Sequence, residues 1–219
     1  EDRDYEGLTN GTMSAYQFIY NKIKTLAITP AMLALNPCTG SIVITDTKTG
    51  KVKAMVSYPS YDNNRLANNL DTDYYTELLS QEKTTPLYNK ATLSRTAPGS
   101  TFKPISAIAG LTEKVITKEE EIEDTGIFES IKPSPKCWVY PGKHGKINVT
   151  KAIEVSCNCF FFEVGYRLGT TSAGKISDEQ GLNTLKKYAS MFGLDKKSGI
   201  ELSEIEPNFS TEDCVRSAI

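Results

Sequence analysis

Thr96-Ala-Pro-Gly-Ser-Thr-Phe-Lys-Pro104 is the most informative stretch of this 219-residue sequence. Pro98-Gly99 predicts a tight turn, and the apolar pattern after it predicts a helix from Ser100 to Leu111. Ser100 falls at the N-cap or in the first turn of that helix, where serine is favoured. Pro104 falls about one turn in, where the missing N–H of proline is tolerated best. The stretch therefore predicts a sharp turn that presents Ser100 at the start of a helix.

Ser100 and Lys103 are spaced so that a hydroxyl and an amine share one face of a helix. A partly buried lysine near polar groups can lose its proton near neutral pH and act as a base toward the serine. The N-terminal end of a helix also offers backbone N–H groups and a positive dipole to a developing oxyanion. The Ser-x-x-Lys pattern alone is weak, because it often arises by chance in chains of this size. Its position directly after a tight turn gives it more weight.

A second polar pair, Ser156-Cys-Asn158, follows 56 residues after Ser100. We predict that Ser156 relays a proton between Lys103 and a leaving amine. Asn158 is predicted to hold the backbone of a bound peptide and to orient Lys103. These side chains together form a candidate serine-nucleophile site.

Several other kinds of site are disfavoured. The only histidine, His144, lies in Gly142-Lys-His-Gly145 and is interpreted as a loop residue, so no Ser-His-Asp triad is expected. No Gly-x-Ser-x-Gly, His-Glu-x-x-His, Walker or Gly-x-Gly-x-x-Gly pattern occurs. The cysteines are interpreted as buried thiols, and with a single histidine we expect no metal site and no cofactor. They are Cys38, Cys137, Cys157, Cys159 and Cys214.

Charge and hydropathy indicate whether the chain is expected to bind nucleic acid or to span a membrane. The chain has 25 Lys and Arg against 27 Asp and Glu, and its net charge of -2 gives no reason to expect a nucleic-acid partner. No apolar run reaches the length of about 18 residues that a membrane span requires. The opening Glu1-Asp-Arg-Asp4 does not resemble a signal peptide, but a piece of a longer anchored protein would look the same.

The first part of the chain is predicted to combine helices with a hairpin. Apolar residues at helix-like spacing predict a helix from Met13 to Leu26, followed by a short apolar turn at 31–35. Two β-branched runs, Gly40–Asp46 and Lys51–Ser57, are joined by a turn that contains glycine. This arrangement predicts a β-hairpin.

The rest of the chain is predicted to mix loops and helices. Residues 58–90 are predicted as a long loop with a short helix at Tyr74–Leu79, and residues 118–146 as a loop because of their prolines. Thr150 is predicted to cap the helix that follows it. Helices are predicted at 151–155, 160–168 and 186–192. Sheet elements first and helices afterwards predict an α+β or mixed α/β layered domain.

Three segments, in order, resemble the penicillin-binding transpeptidases, a family related to the serine β-lactamases. Residues 40–62 resemble the opening hairpin of that domain, residues 96–104 its nucleophile motif, and residues 145–162 its second motif. The resemblance fits the class B, monofunctional type best, and residues 1–39 match only loosely, as a helical lead-in. It implies a β-lactamase/transpeptidase-like fold with helices around an antiparallel sheet.

The resemblance also implies an activity. Ser100 would form an acyl-enzyme with peptidoglycan stem peptides ending in D-Ala-D-Ala, cross-link them, and be acylated by β-lactam antibiotics. Lys103 would be the base, Ser156 the proton relay and Asn158 the substrate-binding residue. The family further implies no cofactor, partners among other cell-wall synthesis proteins, and a membrane-anchored parent protein on the extracytoplasmic face of the bacterial cell membrane.

The third signature of the family, Lys-Thr/Ser-Gly, is where the chain departs from the pattern. Lys48-Thr-Gly50 precedes the nucleophile in a predicted hairpin turn, and Lys197-Ser-Gly199 runs into Ile200 in a predicted loop. We therefore expect residues 40–219 to be the N-terminal part of a transpeptidase domain without its Lys-Thr-Gly strand. Open alternatives are a D,D-carboxypeptidase or β-lactamase on the same scaffold, a non-catalytic β-lactam sensor, and a structural domain with chance motifs.

Overall fold

The computed structural model describes residues 3–28 and 37–219, which form two compact units with a boundary after Ser94. The first unit contains helices α1 (Arg3–Thr9) and α2 (Ala15–Lys24), strands β1 (Gly40–Thr45) and β2 (Val52–Tyr58), and helices α3 (Thr72–Ser80) and α4 (Lys90–Leu93). The second contains α5 (Lys103–Thr112), β3 (Ile122–Asp124), β4 (Gly145–Ile147), α6 (Val149–Glu154), α7 (Asn158–Gly169) and α8 (Asp178–Met191). Short 3-10 turns occur at Asn63–Arg65, Gly99–Phe102 and Arg216–Ala218.

The helices of the first unit begin at residues that cap them. Ser14 starts α2 by accepting a hydrogen bond from the Gln17 N–H at 3.1 Å. Asp71 starts α3 in the same way, by accepting from the Tyr74 N–H at 3.0 Å. The predicted helices at 13–26 and 74–79 are confirmed as α2 and α3. The apolar turn predicted at 31–35 lies outside the described residues.

The predicted β-hairpin is confirmed. Strands β1 and β2 pair antiparallel, with Gly40 opposite Tyr58. Asp46 closes the turn between them by accepting from the N–H groups of Lys48 and Thr49, and Gly50 takes a φ of 72° there. Lys48-Thr-Gly50 is therefore part of a turn and not of a strand. Apolar side chains remain exposed on both strands: Ile42, Val43, Ile44, Val52 and Val56.

The core of the second unit is formed where α5, α7 and α8 pack together. The predicted apolar helix at 160–168 is confirmed as α7, and its Phe160, Phe161 and Val164 are at most 1% exposed. The helices approach closely where glycines face Cys214. A Cβ atom added at Gly181 would lie 2.6 Å from the Cys214 Cβ, so this contact requires a residue without a side chain.

Three predictions for the second unit are wrong in detail. Residues 118–146, predicted as a loop, include β3 and the start of β4, three-residue strands too short to show an alternating pattern. Asn148 and not Thr150 caps α6, because its side chain accepts from the Lys151 N–H at 3.0 Å. Helix α8 begins at Asp178 rather than 186, because Ser177 caps a polar first turn that hides the helical period.

The mixed helix and sheet class is confirmed, since each unit combines helices with a two-stranded antiparallel sheet. Within residues 3–28 and 37–219, no helix has both the length and the apolar character needed to cross a membrane.

Candidate active site

Lys103 is the central polar residue of the second unit. It is the first residue of α5 and only 1% exposed. Its ammonium group donates to the Ser156 carbonyl oxygen at 2.8 Å, to Ser156 Oγ at 3.0 Å and to Asn158 Oδ1 at 2.7 Å. These three acceptors match the three N–H donors of an ammonium group. The structure thus brings together three of the four predicted site residues.

Burial also sets the chemistry of this lysine. It lowers the pKa of Lys103, because removal from water disfavours the charged form, and the nearby Cys157 and Cys137 offset this only in part. A lysine with a lowered pKa holds its proton less tightly. Lys103 can therefore exchange a proton with an adjacent hydroxyl more readily than an exposed lysine can.

Ser156 and Asn158 lie on the tight turn between α6 and α7, which we call the Ser-x-Asn turn (Ser156–Asn158). Ser156 takes a φ of 53°, a left-handed conformation that is uncommon for serine. Cys157 caps α7 through its Sγ, which accepts from the Phe160 N–H at 3.4 Å, and Asn158 is the first residue of the helix. The turn directs the Ser156 carbonyl, the Ser156 hydroxyl and the Asn158 amide oxygen toward one ammonium group.

Ser100 is exposed and lies in the 3-10 turn Gly99–Phe102, which leads directly into α5. The structure agrees with the predicted sharp turn, since Gly99 takes a φ of 58°, but Ser100 precedes the α-helix instead of starting it. Its hydroxyl makes no hydrogen bond within residues 3–28 and 37–219. A nucleophile at this position is open to a substrate that approaches from solvent.

Lys197-Ser-Gly199 lies in an irregular segment after α8. The N–H groups of Ser198 and Gly199 donate to the Glu204 carboxylate, and Lys197 pairs with Glu206 at 2.6 Å. These groups are engaged with local carboxylates, and the segment is not a strand.

Comparison with known families assigns most of the chain to one of them. A family model described as the penicillin binding protein transpeptidase domain matches residues 40–218. The chain belongs to the penicillin-binding transpeptidases. The predicted resemblance is therefore confirmed over the range from which it was inferred.

Individual proteins similar to this transpeptidase segment are also transpeptidases or penicillin-binding proteins. The segment is 34% identical to the peptidoglycan D,D-transpeptidase MrdA of Escherichia coli over 166 residues, which are 75% of this chain and 24% of that protein. The chain thus spans about a quarter of the length of that relative. A Mycobacterium tuberculosis penicillin-binding protein A, solved as an imipenem acyl-enzyme complex, superposes with a TM-score of 0.67 at 27% identity over 83% of this chain and 41% of that one. Helicobacter pylori PBP2 in complex with MreC superposes with a TM-score of 0.62 at 26% identity, over 78% and 29% of the two chains.

Directly beside the Ser-x-Asn turn, the transpeptidase segment contains a second cluster of polar side chains. Its members are Asp124, Cys137, His144 and Cys157, and one ligand atom from each lies within 4.8 Å of all the others. Asp124 ends β3 and pairs with Gly145 of β4, which places His144 beside it. His144 Nδ1 lies 2.6 Å from Asp124 Oδ2, and the Sγ atoms of Cys137 and Cys157 are 4.0 Å apart. We call this group the thiol cluster.

The thiol cluster has the composition of a zinc site. Zn²⁺ prefers four ligands drawn from thiolates, imidazoles and carboxylates, and Zn–S bonds of about 2.3 Å set two tetrahedral sulfurs about 3.8 Å apart. The observed sulfur separation of 4.0 Å is close to that value. Burial alone would raise the pKa of Asp124, but hydrogen bonds from the Cys159 thiol, the Gly126 N–H and His144 lower it to about 2, so the carboxylate is ionised and able to bind a cation. A zinc ion there would cross-link β3, the Cys137 loop and the start of α7.

The sequence does not reveal this cluster, because its two cysteines are 20 residues apart and the chain has a single histidine. The four residues are separated by 13, 7 and 13 positions, and only the pairing of β3 with β4 brings them together. A mixed set of one acid, one histidine and two cysteines over 34 residues was the available signal.

Proposed function

We propose that the protein carrying this chain is a peptidoglycan D,D-transpeptidase and that Ser100 is its nucleophile. The observation that supports this most is the buried Lys103 ammonium group, held at 2.7–3.0 Å by the Ser-x-Asn turn. The similarity to the peptidoglycan D,D-transpeptidase MrdA points to the same activity.

The reaction begins with the proton of Ser100. A neutral Lys103 removes it as Ser100 Oγ attacks the carbonyl carbon of the penultimate D-alanine of a stem peptide. The C–N bond to the terminal D-alanine breaks, and the leaving amine receives a proton from Lys103 by way of the Ser156 hydroxyl. This step leaves an ester on Ser100 and releases free D-alanine.

The second half of the reaction reverses these roles. The amine of a neighbouring stem peptide attacks the Ser100 ester, and its proton returns through Ser156 and Lys103 to the Ser100 oxygen. Asn158 holds the backbone of the bound peptide with the part of its amide that Lys103 does not use. The product is a new amide bond between two peptides, and the serine is regenerated.

A β-lactam follows the first half of this path only. Attack by Ser100 opens the lactam ring and leaves a covalent adduct. The imipenem acyl-enzyme complex of Mycobacterium tuberculosis penicillin-binding protein A is such an adduct in a similar protein. We therefore include β-lactam antibiotics among the ligands of Ser100.

The remaining family features are proposals of the same kind. We propose that the Lys-Thr-Gly strand lies outside residues 40–219, which is supported by the turn and the irregular segment that contain the two look-alikes. We also propose that the anchored parent protein acts on the extracytoplasmic face of the membrane with other cell-wall synthesis proteins. The Helicobacter pylori PBP2–MreC complex is an example of such a partnership in a similar protein.

The test uses the complete protein that carries this chain. It is incubated with a stem peptide ending in D-Ala-D-Ala and an acceptor peptide, and D-alanine and cross-linked product are measured by mass spectrometry. We expect both products, their loss in Ser100→Ala, and their retention in Ser94→Ala, which removes an exposed hydroxyl outside the site. Release of D-alanine without cross-linking would instead identify a carboxypeptidase, and cross-linking by Ser100→Ala would refute the proposal.

A further inference from the structure

Residues 130–153 are positively charged in a chain whose net charge is -2. They contain five lysines and no aspartate or glutamate. Three of these lysines have polar or acidic neighbours: Lys132 with Ser134, Lys146 with Glu123, and Lys151 with Glu154. The ammonium groups of the other two, Lys136 and Lys143, are exposed and make no hydrogen bond or ion pair within residues 3–28 and 37–219. The charges of these two lysines are therefore available to an anion from outside the chain.

Two exposed aromatic side chains lie among these lysines. Trp138 is 65% exposed and Tyr140 is 45% exposed, and Lys136 Nζ lies 4.2 Å from the centre of the Tyr140 ring. Tryptophan and tyrosine are enriched at binding surfaces, because they combine a large apolar area with one polar atom. We call Lys136, Trp138, Tyr140 and Lys143 the basic–aromatic surface.

Backbone hydrogen bonds fold the segment that carries this surface into successive turns. The Cys137 N–H donates to the Gly126 carbonyl at 2.9 Å, and the Tyr140 N–H donates to the Cys137 carbonyl at 3.1 Å. The Gly142 N–H donates to the Val139 carbonyl at 2.8 Å. A surface that is ordered in this way before it binds a partner loses less conformational freedom on binding.

The basic–aromatic surface adjoins the Ser-x-Asn turn. Trp138 Nε1 donates to the carbonyl of Val155 at 3.1 Å, and Ser156 is the next residue. In the second half of the proposed reaction, the incoming amine forms a C–N bond, the C–O bond to Ser100 breaks, and the proton of the amine passes to Ser156. The amine must therefore approach Ser156, and the rest of the acceptor peptide must lie on a surface beside that residue.

We propose that the basic–aromatic surface binds the acceptor stem peptide, the second substrate of the reaction. This inference rests on the proposed function and specifies where that substrate lies. A stem peptide has a free C-terminal carboxylate, whose charge is complementary to Lys136 and Lys143. Its methyl and methylene groups pack against the indole ring of Trp138.

Acceptor binding at this surface determines the fate of the acyl-enzyme. The Ser100 ester reacts with whichever nucleophile is held near it, and water competes with the acceptor amine. A bound acceptor gives a cross-link, whereas attack by water gives a shortened peptide. The basic–aromatic surface therefore raises the ratio of cross-linking to hydrolysis without acting on the first half of the reaction.

The experiment uses the complete protein and separates the two peptides. The donor stem peptide ends in D-Ala-D-Ala and has its amines acetylated, so that it cannot act as an acceptor. The acceptor ends in a single D-alanine, and is supplied either with a free C-terminal carboxylate or as the C-terminal amide. Cross-linked and hydrolysed products are measured by mass spectrometry over a range of acceptor concentrations, which gives the acceptor KM and kcat.

Neutralising both lysines should weaken binding of one acceptor only. Lys136→Gln/Lys143→Gln should raise the KM of the carboxylate acceptor by about 3- to 10-fold and lower its ratio of cross-linking to hydrolysis. The KM of the amide acceptor and the rate of D-alanine release should change by less than about twofold, because neither depends on the acceptor carboxylate. Trp138→Ala should raise the KM of both acceptors, because apolar packing does not require the carboxylate.

The matched control is Lys118→Gln/Lys175→Gln, which removes the same charge from two exposed lysines outside the surface. An unchanged KM for the carboxylate acceptor in Lys136→Gln/Lys143→Gln, or an equal rise for the amide acceptor or in the control, would overturn the proposal. So would a double variant that loses only its binding to anionic phospholipid vesicles, which would assign the surface to a membrane. A parent protein that releases no D-alanine and forms no cross-link would instead refute the proposed function.

Discussion

Lys103 combines two properties that are rarely found in one lysine. Its three hydrogen bonds fit the charged ammonium form, while its burial lowers its pKa from the ordinary value of 10.5. The hydrogen bonds fix where the nitrogen lies, and the burial makes its proton easier to lose. The proposed transfer of the Ser100 proton to Lys103 and back depends on both properties.

This residue sets the expected pH dependence of acylation. Only the neutral amine can accept the Ser100 proton, so the rate should rise with pH as Lys103 loses its proton. Because the pKa is lowered, the midpoint of that rise should lie below 10.5. The measurement is the rate of penicillin acylation of the complete protein across a pH series. A midpoint at or above the ordinary lysine value would contradict this.

Lys103→Arg tests the same base by replacement. Arginine keeps the charge and donors but does not deprotonate in proteins. We expect acylation to slow by about 10²- to 10⁴-fold and the pH-dependent rise to disappear. Lys118→Arg is the matched control, since Lys118 is exposed and outside the site, and should keep the parent rate.

At the scale of single elements, α6 positions the Ser-x-Asn turn that follows it. Its cap is Asn148, whose side chain accepts from the Lys151 N–H, whereas Thr150 lies exposed inside the helix. Asn148→Ala should lower the free energy of unfolding by about 1 kcal/mol, and Thr150→Ala by much less. Urea unfolding of both variants measures the difference. A larger loss from Thr150→Ala would show that the cap is assigned to the wrong residue.

Helix α8 is held against α7 by contacts that leave no room for a side chain. A Cβ at Gly181 would lie 2.6 Å from the Cys214 Cβ and 3.1 Å from the Gly169 Cα. Gly181→Ala should therefore destabilise the protein by about 1–3 kcal/mol, measured by thermal unfolding. Gly40→Ala is the control, because nothing lies within 4 Å of its added Cβ. Equal effects of the two substitutions would contradict the close packing.

The elements differ in how far the sequence predicts them. The hairpin, α2 and α7 are predictable because each has a clear apolar period and a recognisable end. The strands β3 and β4 escape prediction because three residues carry no readable period. The thiol cluster depends on the register of those two strands, so it could not be predicted without them.

The candidate active site is easier to predict than the thiol cluster, because its residues come in pairs that are close together in the sequence. Ser100 and Lys103 belong to one turn and helix, and Ser156 and Asn158 belong to another turn, so each pair is close by covalent connection alone. Only the meeting of the two pairs needs the tertiary structure. The resemblance to the penicillin-binding transpeptidases supplies that expectation, and the hydrogen bonds of Lys103 agree with it.

At the scale of the whole molecule, the second unit contains the predicted nucleophile, base, relay and substrate-binding residue together. The chain spans 24% of the length of Escherichia coli MrdA, so the complete protein has to be assayed beside it. We propose that Ser100 forms a covalent acyl-enzyme and that its formation depends on Lys103.

Intact-mass spectrometry after incubation with a penicillin would detect this acyl-enzyme. We predict one adduct per molecule of the complete protein, located at Ser100 by peptide mapping and absent from Ser100→Ala. The lifetime of this adduct should be much longer than that of the acyl-enzyme of a β-lactamase. The same measurement on residues 1–219 shows whether this segment acylates without further chain. An adduct on another residue, or an undiminished adduct in Ser100→Ala, would contradict the assignment of the nucleophile.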